Sequence, residues 1–337
     1  MVKNNKKIAF FDAKPYDNEF FNRANDSFGF EIKYFESHLT ADSAMLAQGC
    51  DAICAFVNDK ITAEVIGILC NQGVGLIALR CAGYNNIDLK AAQQKIKVVR
   101  VPHYSPYAVA EYAVAMMLCL NRNIHRAYWR IRENNFSIVG LLGFDMHGKT
   151  AGVIGCGEIG SVIAQILNGF GMKVLGYDID RSQVEKAGCS YVDLPTLYKE
   201  SDIITLHCRL TPENLHMINS DSIAQMKEGV MLINTGRGGL IETTALIDAL
   251  KSKKIGSVGL DVYEEESEYF YEDLSSSFIS DDVLARLQTF PNVLITSHQA
   301  FFTKEAMENI ASTTLENIKA YCEGRPLTNE VQYLVPP

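Results

Sequence analysis

The sequence predicts an α/β protein of two parallel-sheet domains, each Rossmann-like or flavodoxin-like, and three observations lead to that class. A glycine fingerprint, Gly155-Cys156-Gly157-Glu158-Ile159-Gly160, follows an apolar run from Thr150 to Ile154 and precedes a helix-like run from Val162 to Phe170. More than 140 residues stand before it, enough chain for a separate domain with its own core. Short apolar runs alternate with helical patterning on both sides of it, as in strands and helices wound into parallel sheets.

In chain order, the strand-like runs of the first part are Ile8–Asp12, Ile32–Phe35, Ala52–Val57, Leu76–Leu79 and Val98–Val101. Pro106 then opens one long helical stretch, Ala108 to about Arg132, since proline suits a first turn and the apolar spacing that follows is helical. After His147-Gly148 come six more strand-like runs: Ala151–Ile154, Val174–Tyr177, Ile203–Leu206, Met231–Ile233, Val258–Leu260 and Val293–Thr296. Six strands with helices between them match a dinucleotide-binding sheet. The last helix, Thr303 to Tyr321, has no sheet of its own and is expected to return to the N-terminal domain. The expected division is therefore 1–104 with 301–337, around an inserted domain at 105–300.

Composition narrows the partners. A net charge of −9 leaves no basic surface for nucleic acid or an anionic membrane, so an anionic substrate has to be met by a local cation. No run approaches the roughly 20 apolar residues of a membrane span, and Ile8–Phe11 is too short for a signal peptide. The nine cysteines are an odd number, and Cys54, Cys70, Cys119 and Cys208 fall inside apolar runs. Buried free thiols in a reducing cytoplasm are the expectation. Cys50 and Cys54 have no second ligand pair, so no metal is expected.

The fingerprint has a physical logic. Gly155 allows the tight turn, Gly157 lets backbone approach a pyrophosphate, and Gly160 lets helix and strand pack closely. The helix that starts there offers unpaired N–H groups and a favourable dipole to phosphate. The next strand-like run ends in Asp178, 23 residues beyond Gly155, where a carboxylate accepts from a ribose hydroxyl and repels a 2′-phosphate. NAD is thus favoured over NADP, although Arg181 lies nearby.

Ligands of such sheets bind beyond the carboxyl ends of the strands. The residues there are Asp178, His207, Thr235-Gly236-Arg237-Gly238, Asp261 with the acids after it, and His298. An α-keto acid needs a planar cation for its carboxylate and carbonyl, which arginine supplies better than lysine. It also needs a proton for the oxygen as hydride reaches the carbon, which histidine supplies near neutral pH. Taken singly, such an arginine could hold a backbone carbonyl, such a histidine could be a satisfied polar residue, and Glu264-Glu265-Glu266 could be a solvated face. The ordered set of Arg, acid and His points to hydride transfer.

Several segments resemble the D-isomer-specific 2-hydroxyacid dehydrogenases, and most closely their lactate-type members, over nearly the whole chain. They are Leu79–Asp88, Val101–Pro106, the fingerprint, Asn234–Gly238, Leu260–Glu264 and Ser297–Phe301. The resemblance implies an active-site cleft between the two domains, with the discontinuous domain binding substrate and residues 105–300 binding NAD. It implies Arg237 as the substrate-binding arginine, His298 as general acid/base and Glu266, five residues beyond Asp261, as the paired carboxylate. Ala82, Gly83, Tyr104 and Phe301 would line the substrate site. Gly155, Gly157, Glu158, Ile159, Gly160 and Asp178 would hold the cofactor, with His207, Cys208 and Arg209 over its adenosine half. Asn214 would meet a phosphate, Asp261 the nicotinamide amide, and Thr235 and Gly236 the same groove. Arg209 stands where the family commonly has proline and Gly236 where it often has serine, which puts the cofactor loop and the approach to Arg237 in question.

The activity so implied is reversible reduction of pyruvate to D-lactate by NADH. Two other functions share these motifs: a dehydrogenase for a bulkier 2-keto acid, and an NAD-sensing scaffold of the corepressor kind. A small-molecule substrate, a cytoplasmic setting and a homodimer or homotetramer are expected, with the helix around Val109–Arg132 as an interface.

Overall fold

Runs of four buried apolar residues, such as Ala52–Ala55 and Leu76–Leu79, suit strands covered on both faces, the usual state of parallel sheets. The computed structural model describes residues 6–266 and 269–333. The chain divides into two compact units, one of Met1–Ser105 with Phe302–Pro337 and one of Pro106–Phe301.

The first unit holds a five-stranded sheet of β1 (Lys7–Phe10), β2 (Glu31–Tyr34), β3 (Ala52–Ala55), β4 (Leu76–Leu79) and β5 (Lys97–Val99). Its order is β2-β1-β3-β4-β5 and every pairing is parallel. The helix Lys304–Cys322 packs on β4 and on the helix Pro15–Asn25, so the last helix completes this unit. Thr303 caps it, accepting from the Ala306 N–H at 3.2 Å. Arg80, 2% exposed, closes the β4 end by donating to the carbonyls of Phe11 at 3.0 Å and Asp12 at 2.7 Å. Its charge is met by Asp17, 3.6 Å away, and its plane lies over Phe10 and Phe56.

The second unit holds β6 (Thr150–Ile154), β7 (Lys173–Tyr177), β8 (Ser190–Tyr191), β9 (Ile203–Leu206), β10 (Val230–Asn234), β11 (Ile255–Leu260) and β12 (Val293–Ile295). They run parallel in the order β12-β11-β10-β9-β6-β7-β8. The order reverses between β6 and β9, so a crevice opens beyond their carboxyl ends. Two apolar layers flank the sheet, one centred on Leu206, Leu232 and Leu246, the other on Val153, Ile163 and Met117.

Three expectations are corrected here. The sheet has a seventh strand, β8, whose two residues are exposed and give no apolar run. The helical stretch expected from Ala108 to Arg132 is two helices, Pro106–Asn121 and Ile124–Arg132. Asn123 takes the left-handed conformation at φ 52°, which an asparagine tolerates, and the side chain of Asn121, the last residue of the first helix, exchanges two hydrogen bonds with the Phe144 backbone. Among the four cysteines placed in apolar runs, only Cys54 is buried, while Cys70, Cys119 and Cys208 are partly exposed; all nine are free thiols.

Candidate active site

The fingerprint turn follows β6, and its first glycine explains the local sequence. Gly155 sits at φ +91°, and a side chain there would strike the backbone of His207 and Cys208 after β9. Gly157 and Glu158 are exposed at the start of the helix Glu158–Gly169, and a Cβ at Gly157 would meet nothing within 4 Å. Ile159 is half-buried, and Gly160 packs on the Gly155 carbonyl. The Asp178 carboxylate beyond β7 accepts from the Cys156 N–H at 2.7 Å, which ties it to the turn.

Two buried polar atoms just beyond β9 and β10 have no hydrogen-bond partner among the described residues, Nδ1 of His207 and Oγ1 of Thr235. The Nε2 of His207 meets Thr205 Oγ1 at 2.7 Å, and burial pushes the imidazole pKa down to about 3, so the ring is neutral. An open turn at a helix N-terminus, a carboxylate at the neighbouring strand end on one side and unmatched polar atoms on the other fit a dinucleotide. Cys208 and Arg209 continue from His207. Asn214 accepts from the Thr211 N–H and donates to the Arg209 carbonyl, both at 2.7 Å, so the loop carrying Arg209 is closed on itself.

Arg237 follows β10. Its Nη1 donates to the Gly236 carbonyl at 2.7 Å, and its side chain remains half-buried. Gly238 lies so close to the segment after β11 that a Cβ would overlap the Tyr263 carbonyl and the Glu264 nitrogen. Gly236 has room, its nearest neighbour being the Leu206 carbonyl at 3.4 Å from a Cβ.

The three glutamates divide their work. Glu264 is held by His216 at 2.6 Å and by Thr243, whose backbone N–H and hydroxyl both donate to it. Glu265 is exposed. Glu266 turns to His298: its Oε1 lies 2.9 Å from Nδ1, while its Oε2 accepts from the Tyr263 N–H. Nδ1 therefore carries a proton toward Glu266, and Nε2 is the nitrogen left for a substrate.

His298 is itself in the left-handed region at φ +54°, a conformation that favours glycine. Asp261 holds it there. The Asp261 carboxylate is fully buried and accepts from Thr296 Oγ1 at 2.6 Å, the Gln299 N–H at 3.0 Å and the Ala300 N–H at 2.8 Å. Its carbonyl also accepts from the His298 N–H, and the Tyr271 hydroxyl donates to the His298 carbonyl. Burial raises the Asp261 pKa, opposed by these donors. This grip has no local pattern: Thr296, Tyr271, His216 and Thr243 bond partners that lie 21 to 48 residues away.

Phe301 ends the second unit and is half-buried. Ala82, Gly83 and Tyr104 belong to the first unit. There the loop after β4 is shaped by Arg100, which donates to the Ala82 carbonyl at 2.7 Å, and by the Cys81 thiol on the Gly83 carbonyl. Ala82, Gly83 and Tyr104 are all half-buried. No helix among the described residues is long and apolar enough to cross a membrane.

Residues 114–300 match the family model of the D-isomer specific 2-hydroxyacid dehydrogenase, NAD binding domain. The chain is 53% identical to D-lactate dehydrogenase of Escherichia coli (strain K12), covering 96% of this chain and 99% of that protein. Its backbone is similar to the apo-structure of D-lactate dehydrogenase from Escherichia coli, with a TM-score of 0.88 and the same two coverages. It is also similar to a structure described as the pyruvate reductase of Chlamydomonas reinhardtii, with a TM-score of 0.91, 45% identity and coverages of 97% and 99%. The chain belongs to the D-isomer specific 2-hydroxyacid dehydrogenases and carries their NAD binding domain.

Proposed function

We propose that this protein reduces pyruvate reversibly to D-lactate with NADH, and that Arg237, Glu266 and His298 carry the chemistry. The observation behind this reading is the His298–Glu266 pair, which leaves one imidazole nitrogen to serve the substrate oxygen. The relatives' D-lactate dehydrogenase activity supports the choice of substrate. The fingerprint turn, Asp178 and the loops at His207–Arg209 and Asn214 would hold NADH, which would supply the hydride. Thr235, Gly236 and Asp261 border the same crevice.

The chain's own groups do the rest. Arg237 grips the carboxylate and polarises the carbonyl through its planar fork. His298 delivers a proton from Nε2 to the carbonyl oxygen, and Glu266 balances the imidazolium charge before that transfer. Asp261 keeps the imidazole aimed by fixing the backbone on either side of it. Phe301, in the same unit as Arg237 and His298, restricts the substrate's side chain. In the reverse direction neutral His298 takes the proton from the hydroxyl.

The protein works as a homodimer or homotetramer in this reading. The segment 124–144 exposes Trp129 at 63%, Ile138 at 83% and Leu142 at 94%, with Tyr128, Ile131 and Phe136 beside them. Scattered apolar residues need no explanation, but a run of this kind belongs against a second copy.

One assay tests the reading. NADH oxidation is followed with pyruvate and with 2-ketoisocaproate, and the lactate formed is resolved by handedness. Faster turnover of pyruvate, giving the D-isomer, is expected; no turnover with either acid, or a preference for the bulkier one, overturns it. Light scattering at micromolar concentration should show at least a dimer.

A further inference from the structure

Two of the cysteines meet inside the second unit. Cys156 is the second residue of the fingerprint and is fully buried; Cys189 stands just before β8 and is partly exposed. Gly176 in β7 leaves the space into which both project. A Cβ placed on it would lie 2.8 Å from Cys189 Cβ and 3.0 Å from Cys156 Sγ. The Cys156 thiol points at the carbonyls of Val153 and Tyr177, 3.8 and 3.9 Å away, with the Cys189 side chain beside it. The neighbouring Cys189 thiol, with burial, holds the proton on Cys156, and the same contact draws Cys189 toward the thiolate. A partly exposed, more acidic sulfur thus stands in front of a buried one that can resolve it.

We propose that Cys156 and Cys189 form a peroxide-sensitive pair whose reversible disulfide weakens NAD binding by re-aiming the fingerprint turn. The Cys189 thiolate attacks one oxygen of hydrogen peroxide, the O–O bond breaks, and hydroxide leaves a sulfenic acid on Cys189. The Cys156 sulfur gives up its proton and attacks the Cys189 sulfur; the S–S bond forms, the S–O bond breaks and water leaves. Two thiols lose two electrons in all, and one peroxide becomes two waters.

The link to the cofactor is geometric. Bonded sulfurs stand about 2.05 Å apart, much closer than thiols in contact, so Cys156 has to move toward Cys189. Its N–H is the group that holds the Asp178 carboxylate at 2.7 Å, and it lies between the two glycines of the turn. Displacing it shifts the ribose acceptor and the phosphate-binding N–H groups together. Both sites lie within one unit, and the inference needs only NAD binding, whatever keto acid is reduced.

The test treats the full-length protein with a slight excess of hydrogen peroxide. A mass loss of about 2 Da, mapped by peptides to Cys156 and Cys189, is expected from one disulfide. NADH affinity, read by nucleotide fluorescence, should fall about tenfold, the loss expected from re-aimed charge-assisted contacts, and return with dithiothreitol. Cys189→Ser should bind NADH like the unmodified protein and show neither change. The proposal is overturned if no such cross-link forms, if it forms without a change in affinity, or if Cys189→Ser is equally sensitive. Because the cross-link is read by mass, its failure is separate from any failure to reduce pyruvate.

Discussion

Glu266 binds His298 on one oxygen and its own backbone, at Tyr263, on the other, both at 2.9 Å. The carboxylate is thereby fixed before it meets the imidazole, and it cannot follow the ring if the ring moves. Glu266→Gln keeps an acceptor for the Tyr263 N–H but removes the charge facing Nδ1. Pyruvate reduction should fall about 100-fold in kcat/KM, the usual worth of a supported acid/base, with the greater loss on the alkaline side. Rates equal to the parent across pH 6 to 9, measured by stopped-assay progress curves, would dismiss the role given to Glu266.

Gly236 and Gly238 flank Arg237 but stand in different surroundings. Gly238→Ala pushes a Cβ into the Tyr263 backbone, which cannot rotate away, and should cost about 3 kcal/mol in a urea titration. Gly236→Ser brings a Cβ into ordinary contact, 3.4 Å from the Leu206 carbonyl, and should leave both the midpoint and the pyruvate KM within about threefold of the parent. Equal destabilisation by the two changes would contradict this contrast.

Asp178 anchors the turn and, in the proposed reading, faces the cofactor. Asp178→Asn retains an acceptor for the Cys156 N–H and loses the charge together with the second oxygen, which accepts from the Asp180 N–H at 3.0 Å. Discrimination against NADPH should drop about tenfold, since one repulsive interaction of ~1.4 kcal/mol is gone. The ratio of kcat/KM for the two nucleotides measures it, and an unchanged ratio would mean the carboxylate does not set the preference.

His207 gives the apo-protein a pH dependence. Its ring is neutral in the fold, with a pKa of about 3, while the unfolded ring titrates at 6.5. Between these values the unfolded chain binds the extra proton, so stability is intact above 6.5 and is lost as pH falls through the window. The loss approaches ~1.4 kcal/mol per pH unit. His207→Gln can keep the Thr205 contact without the titration. Its stability should fall less steeply from pH 6.5 to 5 in denaturant melts; parallel curves for the two proteins would refute the assignment.

Much of this was legible in the sequence because it rests on local patterns. Buried runs such as Ile203–Leu206 announce central strands, and the fingerprint announces its turn. Exposed Ser190–Tyr191 announces nothing, since β8 pairs at an edge without a core face. The break falls at Asn123 in the left-handed conformation, beside Asn121, whose side chain meets the Phe144 backbone 23 residues away. Likewise, Glu264 and Glu266 look alike in sequence, and only the folded positions of His216 and His298 separate them. Patterns reveal elements; long-range hydrogen bonds decide which of two similar side chains works.

In the proposed reading, the carboxyl edge of the seven-stranded sheet receives one chemical duty per loop: the turn after β6, Asp178 after β7, His207 after β9, Arg237 after β10, Glu266 after β11 and His298 after β12. Each loop is anchored at both ends by rigid structure, so one can lengthen or change while the others stay in register. Nucleotide choice, acid recognition and proton supply are thus separately editable traits. A descendant of this sequence could acquire a new substrate by rewriting a single connection and inherit its coenzyme unchanged.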